Sequence, residues 1–275
     1  MSAQSVRVSE ELAGLERAGA VARLTLRRPD RRNALSRELL AALHARVDEL
    51  AGWCGGAGTG SGGGAAGGGG ADGGVLACVV TGEGPAFCAG MDLRQAVGDA
   101  ESGRQLLRSL AELTWKLRAL GCVTVAAVHG AAIGGGCGLV TVCDAAVTHA
   151  QNTMGFPEVD MGVCPAVVAP WLVRRIGAGR ARRVLLMGGL MRGREAYELG
   201  VVSECVETPE GVLPAAEAIA SRVATGGPRA LRATKGLMNE LDGSGDLELL
   251  LRAAEVSARV LASPDTQARL RSKLV

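Results

Sequence analysis

Residues 126–144, AAVHGAAIGGGCGLVTVCD, constrain the chain more than any other stretch, and they are read together with Glu158, fourteen residues beyond Asp144. An apolar run, a glycine turn and a second apolar run predict a buried strand, a tight turn and a helix. The first N–H groups of a helix have no acceptor within it. Such a turn therefore leaves backbone donors aimed at an anion, with the positive end of the helix behind them. No Lys-Ser or Lys-Thr follows the glycines, which excludes a P-loop, and Gly134, Gly135 and Gly136 do not meet the G-x-G-x-x-G spacing of a dinucleotide site. A strand-to-helix turn that needs glycine only for its backbone is the competing account.

The 275 residues are enough for one large domain, or a domain with an appendage, and for a substantial core. Thirty basic against twenty-eight acidic side chains give a formal charge of +2, without a basic run dense enough for a nucleic-acid footprint, so small molecules are the expected partners. The eight cysteines sit mostly in apolar runs and lack C-x-x-C spacing. That pattern predicts reduced thiols filling a core, and hence a cytoplasmic protein, not a disulfide or zinc framework. The N-terminal MSAQSVRVSEEL carries acids and no apolar h-region, unlike a secretory signal. Residues 122–147 are apolar but include His129, Asp144 and several glycines, which fits a globular interior and no membrane span. Val275 follows Ser272, Lys273 and Leu274, so the terminal S-K-L peroxisomal address is missed.

In chain order, residues 6–28 predict two short strands, the better one marked by Val21, Leu24 and Leu26. Residues 36–50 place Leu39, Leu40, Leu43, Val47 and Leu50 at helical spacing behind Ser36, a predicted N-cap. Residues 55–74 are mostly glycine and cannot bury enough apolar surface to offset their backbone entropy, so a flexible loop is expected. The continuous apolar run at 75–80 predicts a strand covered on both faces. A helix over 104–120, a strand over Val123–Val128, and further helices beginning near Ala166, Arg180 and Arg194 follow. Strands alternating with helices and glycine turns imply an α/β fold of βαβ type. Beyond Pro214 the pattern is helical, interrupted at 242–245, and apolar enough to pack on another subunit.

TGEGPAFCAGMDLR at 81–94 is a second glycine turn, in which Met91 and Asp92 sit where backbone N–H groups are again unpaired. Two such turns converging on one carbonyl oxygen would stabilise an enolate, and Glu158 would move protons at the neighbouring carbon if burial brings its pKa near neutrality. An acid in a solvated or salt-bridged setting is the alternative for Glu158. There is no G-x-S-x-G elbow and no H-E-x-x-H, and His44, His129 and His149 are scattered, so neither acyl-enzyme nor metal chemistry is expected.

Four stretches carry a resemblance: RLTLRRPDRRNALSREL at 23–39, GEGPAFCAGMDL at 82–93, HGAAIGGGCGLVTVCD at 129–144, and FPEVDMGVCP at 156–165 with RRIGAGRARRVLLMGG at 174–189. Together, and in this order, they resemble the enoyl-CoA hydratase/isomerase (crotonase) family. The resemblance implies a crotonase-like spiral of ββα units over residues 1–206. It also implies a C-terminal helical trimerisation region over 207–275, giving a homotrimer or a homohexamer built as a dimer of trimers. It implies an acyl-CoA thioester as substrate, with coenzyme A as the carrier and no separate cofactor. The N–H groups of Met91 and Gly135 would grip the thioester oxygen. Ala89, Gly90, Asp92, Leu93, Gly134 and the Asn33-Ala34-Leu35 turn would line the coenzyme A groove, with Arg27 and Arg28 near its phosphates. Glu158 matches the second of two glutamates found in hydratases, whereas the first is replaced by Gly138. The downstream pattern is most similar to the methylglutaconyl-CoA and isohexenylglutaconyl-CoA hydratase branch. Hydration of a branched or carboxylated 2-enoyl-CoA is thus the leading expectation, with Δ3,Δ2-enoyl-CoA isomerisation and non-catalytic coenzyme A binding as alternatives. The C-terminus lacks the acid-glycine pair and the Phe common in the family, and Lys235 and Lys273 are further candidates for phosphate contact.

Overall fold

The computed structural model describes residues 11–55 and 74–274. The glycine-rich stretch expected as a loop lies, from 56 to 73, outside the described residues. The chain opens with an antiparallel hairpin, β1 (Ala13–Ala18) and β2 (Val21–Leu26), turned at Gly19 with φ of 63°. β2 then pairs in parallel with β3 (Ala77–Gly82), followed across the sheet by β5 (Val123–Val128), β7 (Ala145–His149) and β10 (Glu204–Val206). A second sheet joins β4 (Ala86–Cys88), β6 (Ala131–Ile133), β8 (Thr153–Gly155) and β9 (Leu190–Arg192), in that order, with only β9 antiparallel to its neighbour.

A long strand, a short strand of the second sheet and then a helix form the repeating unit. β3 and β4 lead to α2 (Ala100–Ala119), and β5 and β6 lead to α3 (Gly135–Val142). This is the ββα spiral that the motifs implied. Side-chain alternation covers the large sheet on both faces. Cys78, Val80, Ala126 and Val128 point into the main core, whereas Ala77, Val79, Val125 and Ala127 face α7 (Val212–Ala224) through its Val212, Ala216 and Ala220. Ser36 caps α1 (Arg37–Trp53) by accepting from the Leu39 N–H, and Asp99 caps α2 by accepting from the Ser102 N–H.

Three further helices follow β8 along the chain: α4 (Ala169–Ile176), α5 (Ala178–Met187) and, after β9, α6 (Gly193–Leu199). The C-terminal region is helical as expected, adding α8 (Pro228–Leu241), α9 (Leu247–Leu261) and α10 (Pro264–Leu274). Within it, α7 closes one face of the sheet and α9 packs along α2, so tightly that a Cβ on Gly103 would stand 2.7 Å from Leu261 Cδ2. These two helices are therefore part of the core.

Lys235 of α8 is buried, which corrects its expected contact with a coenzyme A phosphate. Its Nζ donates to the Cys122 carbonyl at 2.7 Å and to Asp144 Oδ2 at 2.8 Å. Asp144 also accepts from the Thr124 N–H at 2.7 Å and from Arg118 at 3.2 Å. Burial alone would raise the Asp144 carboxyl, but Lys235, Thr124 and Arg118 outweigh it and hold the group below its ordinary value. The Lys235 ammonium supplies the compensating charge that a largely buried carboxylate needs. Lys235→Met is expected to lose about 3 kcal/mol in urea unfolding; an unchanged midpoint would show that the network carries no stability. With the folded pKa depressed, the contribution of Asp144 is fully present above its ordinary 3.8 and is lost as pH falls through the lower folded value.

Candidate active site

Two turns meet where β4 and β6 end. At the first, Gly90 adopts φ of 88°, and Leu35 bridges Met91: the Leu35 N–H donates to the Gly90 carbonyl at 2.8 Å, and the Asp92 N–H to the Leu35 carbonyl at 3.1 Å. This pattern uses the groups on either side of Met91 and leaves its own N–H out. At the second, Gly134 (φ 52°, ψ −117°) precedes α3, whose first N–H, that of Gly135, has no acceptor inside the helix. Neither N–H has a backbone acceptor among the described residues. They are neighbours in space. A Cβ on Gly135 would lie 3.7 Å from Met91 N, and one on Gly90 would lie 3.6 Å from Gly135 N and 2.6 Å from the Ile133 carbonyl oxygen. The sharp turn at Gly134 and the close approach at Gly90 both require glycine.

Glu158 is held in the loop after β8, where its carbonyl accepts from the N–H groups of Met161 at 3.0 Å and Val163 at 2.8 Å. Its carboxylate faces the second turn: a Cβ on Gly134 would stand 2.9 Å from Glu158 Oε1. Oε2 is buried with no hydrogen-bond partner among the described residues. Burial pushes the Glu158 pKa up from 4.5 to about 7, with only a backbone hydrogen bond opposing it. A carboxyl that is half ionised near neutral pH is suited to accept and return a proton.

These groups border one cavity of about 710 Å3. Met91, Gly135, Glu158, Gly90, Gly134, Ala89, Ala34, Leu93, Arg28 and Asp92 all line it, so most of the predicted residues share one site. Three do not. Arg27 is engaged outside the cavity by Glu83 at 2.8 Å and Glu16 at 3.0 Å. Asn33 is fully buried, its amide Nδ2 donating to the Glu83 and Ala86 carbonyls and its Oδ1 accepting from the Arg28 N–H. Leu35 is also fully buried and acts on the site only through the Met91 bridge. Lys273 lies off the cavity, with Nζ donating to the Asp160 carbonyl at 2.8 Å.

The remaining wall was not singled out in the sequence. Leu107 and Leu110 of α2, Val163, Val167 and Val168 supply an apolar side, and Ser257 of α9 closes it. The Ser257 hydroxyl donates to the Cys164 carbonyl at 2.7 Å and accepts from the Ala166 N–H at 3.2 Å, fixing the 163–168 loop. Leu107 and Leu110 carry only a helical stripe, which also describes an ordinary core helix. Arg31, Arg32 and Arg94 are exposed cations on the same cavity. Gly138 lies outside it, and a Cβ there would meet Val168 Cγ1 at 2.7 Å. The position of the absent glutamate is thus blocked by the valine that faces the cavity.

The enoyl-CoA hydratase/isomerase family model matches residues 71–269. A Thermus thermophilus protein, named provisionally as an enoyl-CoA hydratase, is 36% identical over 259 residues, covering 92% of this chain and 94% of its own. The 2,3-dehydroadipyl-CoA hydratase of Escherichia coli is 31% identical over 218 residues, covering 79% of this chain and 77% of its own. The crystal structure of an enoyl-CoA hydratase from Mycobacterium avium superposes with a TM-score of 0.79 at 27% identity, covering 100% of this chain and 97% of that one.

Two outcomes follow from this packing. A group whose folded pKa is raised costs stability as pH rises from its ordinary value through its folded one. Glu158→Gln and the wild type should therefore be equally stable near pH 4, while above pH 7 the variant should be the more stable in denaturant titrations; parallel profiles would mean that Glu158 ionises freely. Gly138→Ala should lose about 1–3 kcal/mol by overpacking, and Val168→Ala in the same chain should return part of it. Additive losses in that double variant would show that the two positions do not touch.

Proposed function

The chain belongs to the enoyl-CoA hydratase/isomerase family, and from that premise we propose that it hydrates a 2-enoyl-CoA through a thioester enolate. The buried Glu158 carboxyl, whose Oε2 has no partner among the described residues, beside two N–H groups without a backbone acceptor carries this reading. The thioester oxygen accepts hydrogen bonds from Met91 and Gly135, which lowers the energy of the negative charge that forms on it. Ionised Glu158 takes a proton from water as the water oxygen bonds to C3. The same carboxyl then returns that proton to C2, so one water is added and the glutamate is regenerated. Coenzyme A is the carrier part of the substrate, no separate cofactor takes part, and its polar portion lies at the exposed end lined by Arg31, Arg32 and Arg94.

Two acyl classes stand beside each other in this proposal, a branched chain and a carboxylated one similar to methylglutaconyl-CoA. The apolar wall of Leu107, Leu110, Val167 and Val168 supports the branched chain, and the name of the Escherichia coli relative, a 2,3-dehydroadipyl-CoA hydratase, supports the carboxylated one. Isomerisation of a 3-enoyl-CoA is favoured by one observation, the blocked position at Gly138. It needs a single base to move a proton between C2 and C4, and no second carboxylate to hold water. Assembly as a homotrimer or a dimer of trimers is proposed from the exposed Leu186, Met187 and Leu241, and a cytoplasmic location from the eight free thiols.

Purified protein is expected to convert crotonyl-CoA or a branched 2-enoyl-CoA to a product heavier by one water, read by mass spectrometry. A 3-enoyl-CoA converted at unchanged mass, with no hydration, would establish the isomerase instead. Glu158→Gln should lower kcat by about 10²–10⁴ for either reaction, with acyl-CoA affinity held; turnover retained in that variant would remove Glu158 from the mechanism.

A further inference from the structure

Met91 is fixed by more than its backbone bridge. Residues 28–35, which carry Leu35, run through two consecutive left-handed non-glycine residues, Arg32 (φ 51°) and Asn33 (φ 54°). Such backbone persists only where its surroundings impose it. Asn33 does so from inside, through its hydrogen bonds to Arg28, Glu83 and Ala86. Arg28 does so from the cavity side: its Nη1 donates both to the Ala34 carbonyl and to Asp92 Oδ2, each at 2.9 Å. One guanidinium nitrogen thus ties the residue before Leu35 to the residue after Met91, spanning the bridge between them. The two side chains are only 19% and 16% exposed, so the pair is shielded from solvent more than the other cations of the cavity.

The charge matters as well as the tether. Asp92 follows Met91 directly and lines the same cavity, so its carboxylate is a negative charge beside the N–H that meets the enolate oxygen. Two like charges at short range repel, and the repulsion acts more strongly on the full charge of the enolate than on the dipole of the substrate carbonyl, so it raises the barrier. Arg28 cancels that carboxylate. A cation paired with Asp92 in this way has its charge largely neutralised toward a phosphate.

We infer that the Arg28–Asp92 ion pair is a positioning and charge-cancelling element of the oxyanion pocket, and not part of the coenzyme A phosphate site. The inference rests on the proposed role of the Met91 N–H. Arg28→Gln, Asp92→Asn and the double variant separate the possibilities when kcat and KM are measured beside binding of 4-dimethylaminocinnamoyl-CoA, a thioester whose absorption moves to longer wavelength as its carbonyl is polarised. Arg28→Gln should lower kcat about tenfold or more, leave KM within about threefold, and diminish the red shift of the bound probe. Adding Asp92→Asn removes the uncompensated charge, so the double variant should recover kcat by about threefold or more over Arg28→Gln. A purely structural pair would instead change KM together with kcat and lower stability in Arg28→Gln in proportion. A double variant no better than Arg28→Gln overturns the inference. So does an Arg28→Gln protein with raised KM and weakened coenzyme A binding but unchanged kcat and red shift, the signature of a phosphate ligand. Should Arg28→Gln fail to fold, Arg28→Lys keeps the charge but not the two-point contact. It is expected to lose kcat at constant KM, and an unchanged kcat there overturns the positioning role. A wild-type protein that binds the probe without any red shift removes the reading of Met91 and Gly135, and the inference with it, whereas a wild-type shift that every variant retains removes the inference alone.

Discussion

Backbone must touch backbone where the two glycine turns meet, and the site depends on that contact. A Cβ on Gly136 would lie 2.3 Å from the Cys88 carbonyl oxygen, one on Gly130 would lie 2.3 Å from the Pro85 carbonyl oxygen, and one on Gly90 would lie 2.6 Å from that of Ile133. No side chain larger than hydrogen fits at any of these points. With glycine there, the ends of β4 and β6 come close enough for N–H groups from different ββα units to flank a single point. The short second sheet is the frame for this contact, since it pairs β4, β6 and β8 side by side in parallel, with a register shift between Ala86 and Cys88. Glu158 is delivered by the next strand of the same sheet, so all three reactive groups issue from successive repeats of one unit.

Carrying an unpaired carboxyl inside such a contact has a cost. A buried polar atom without a partner is unfavourable, and Glu158 Oε2 is one. Around it, the chain is over-determined: Met161 and Val163 bind the Glu158 carbonyl, Ser257 pins the Cys164 carbonyl, and Thr266 donates to the Gly162 carbonyl at 2.9 Å. The loop is thereby held by α9 and the start of α10, which gives the C-terminal helices a bearing on the site besides any bearing on assembly. These bonds fix the backbone that carries the carboxyl, and its burial there raises its pKa to about 7. Stability and proton transfer are opposed at this one residue.

Much of this was legible in the sequence because it is written in periodicity and glycine. The helical spacing behind Ser36 found α1, the continuous apolar runs found β3 and β5, and two glycine turns drew attention to Met91 and Gly135. The second sheet was not legible, because strands such as Ala86–Cys88 and Ala131–Ile133 are three residues long and show no alternation. Cations were the least legible element. Arg27, Arg28 and Lys235 look alike as charges in a chain, but what each does is decided by the carboxylate that folding brings to it: Glu83 and Glu16, Asp92, and Asp144. Asn33 and Leu35 lie in the right motif for a different reason from the one a motif gives, since both build the turn and neither faces the cavity.

Gly138 and Val168 bear on what a single carboxylate can do. Were the glycine merely a deleted side chain, the vacated volume would hold water close to Glu158, and ordered water needs polar partners to remain. Instead a valine methyl stands 2.7 Å from the missing Cβ and presents hydrocarbon to the cavity. If the proposed hydration takes place, water that adds to C3 would then be held by Glu158 itself and by the substrate, and its residence would depend on how completely the acyl group fills the apolar wall of Leu107, Leu110 and Val168. A bulky acyl chain leaves the carboxyl facing only carbon-bound protons, the condition for shuttling between C2 and C4. A smaller one leaves room for water beside the same carboxyl. On the proposed reading, with Glu158 as the base in either reaction, hydration and isomerisation would be distinguished less by the base than by the volume left unfilled beside Val168.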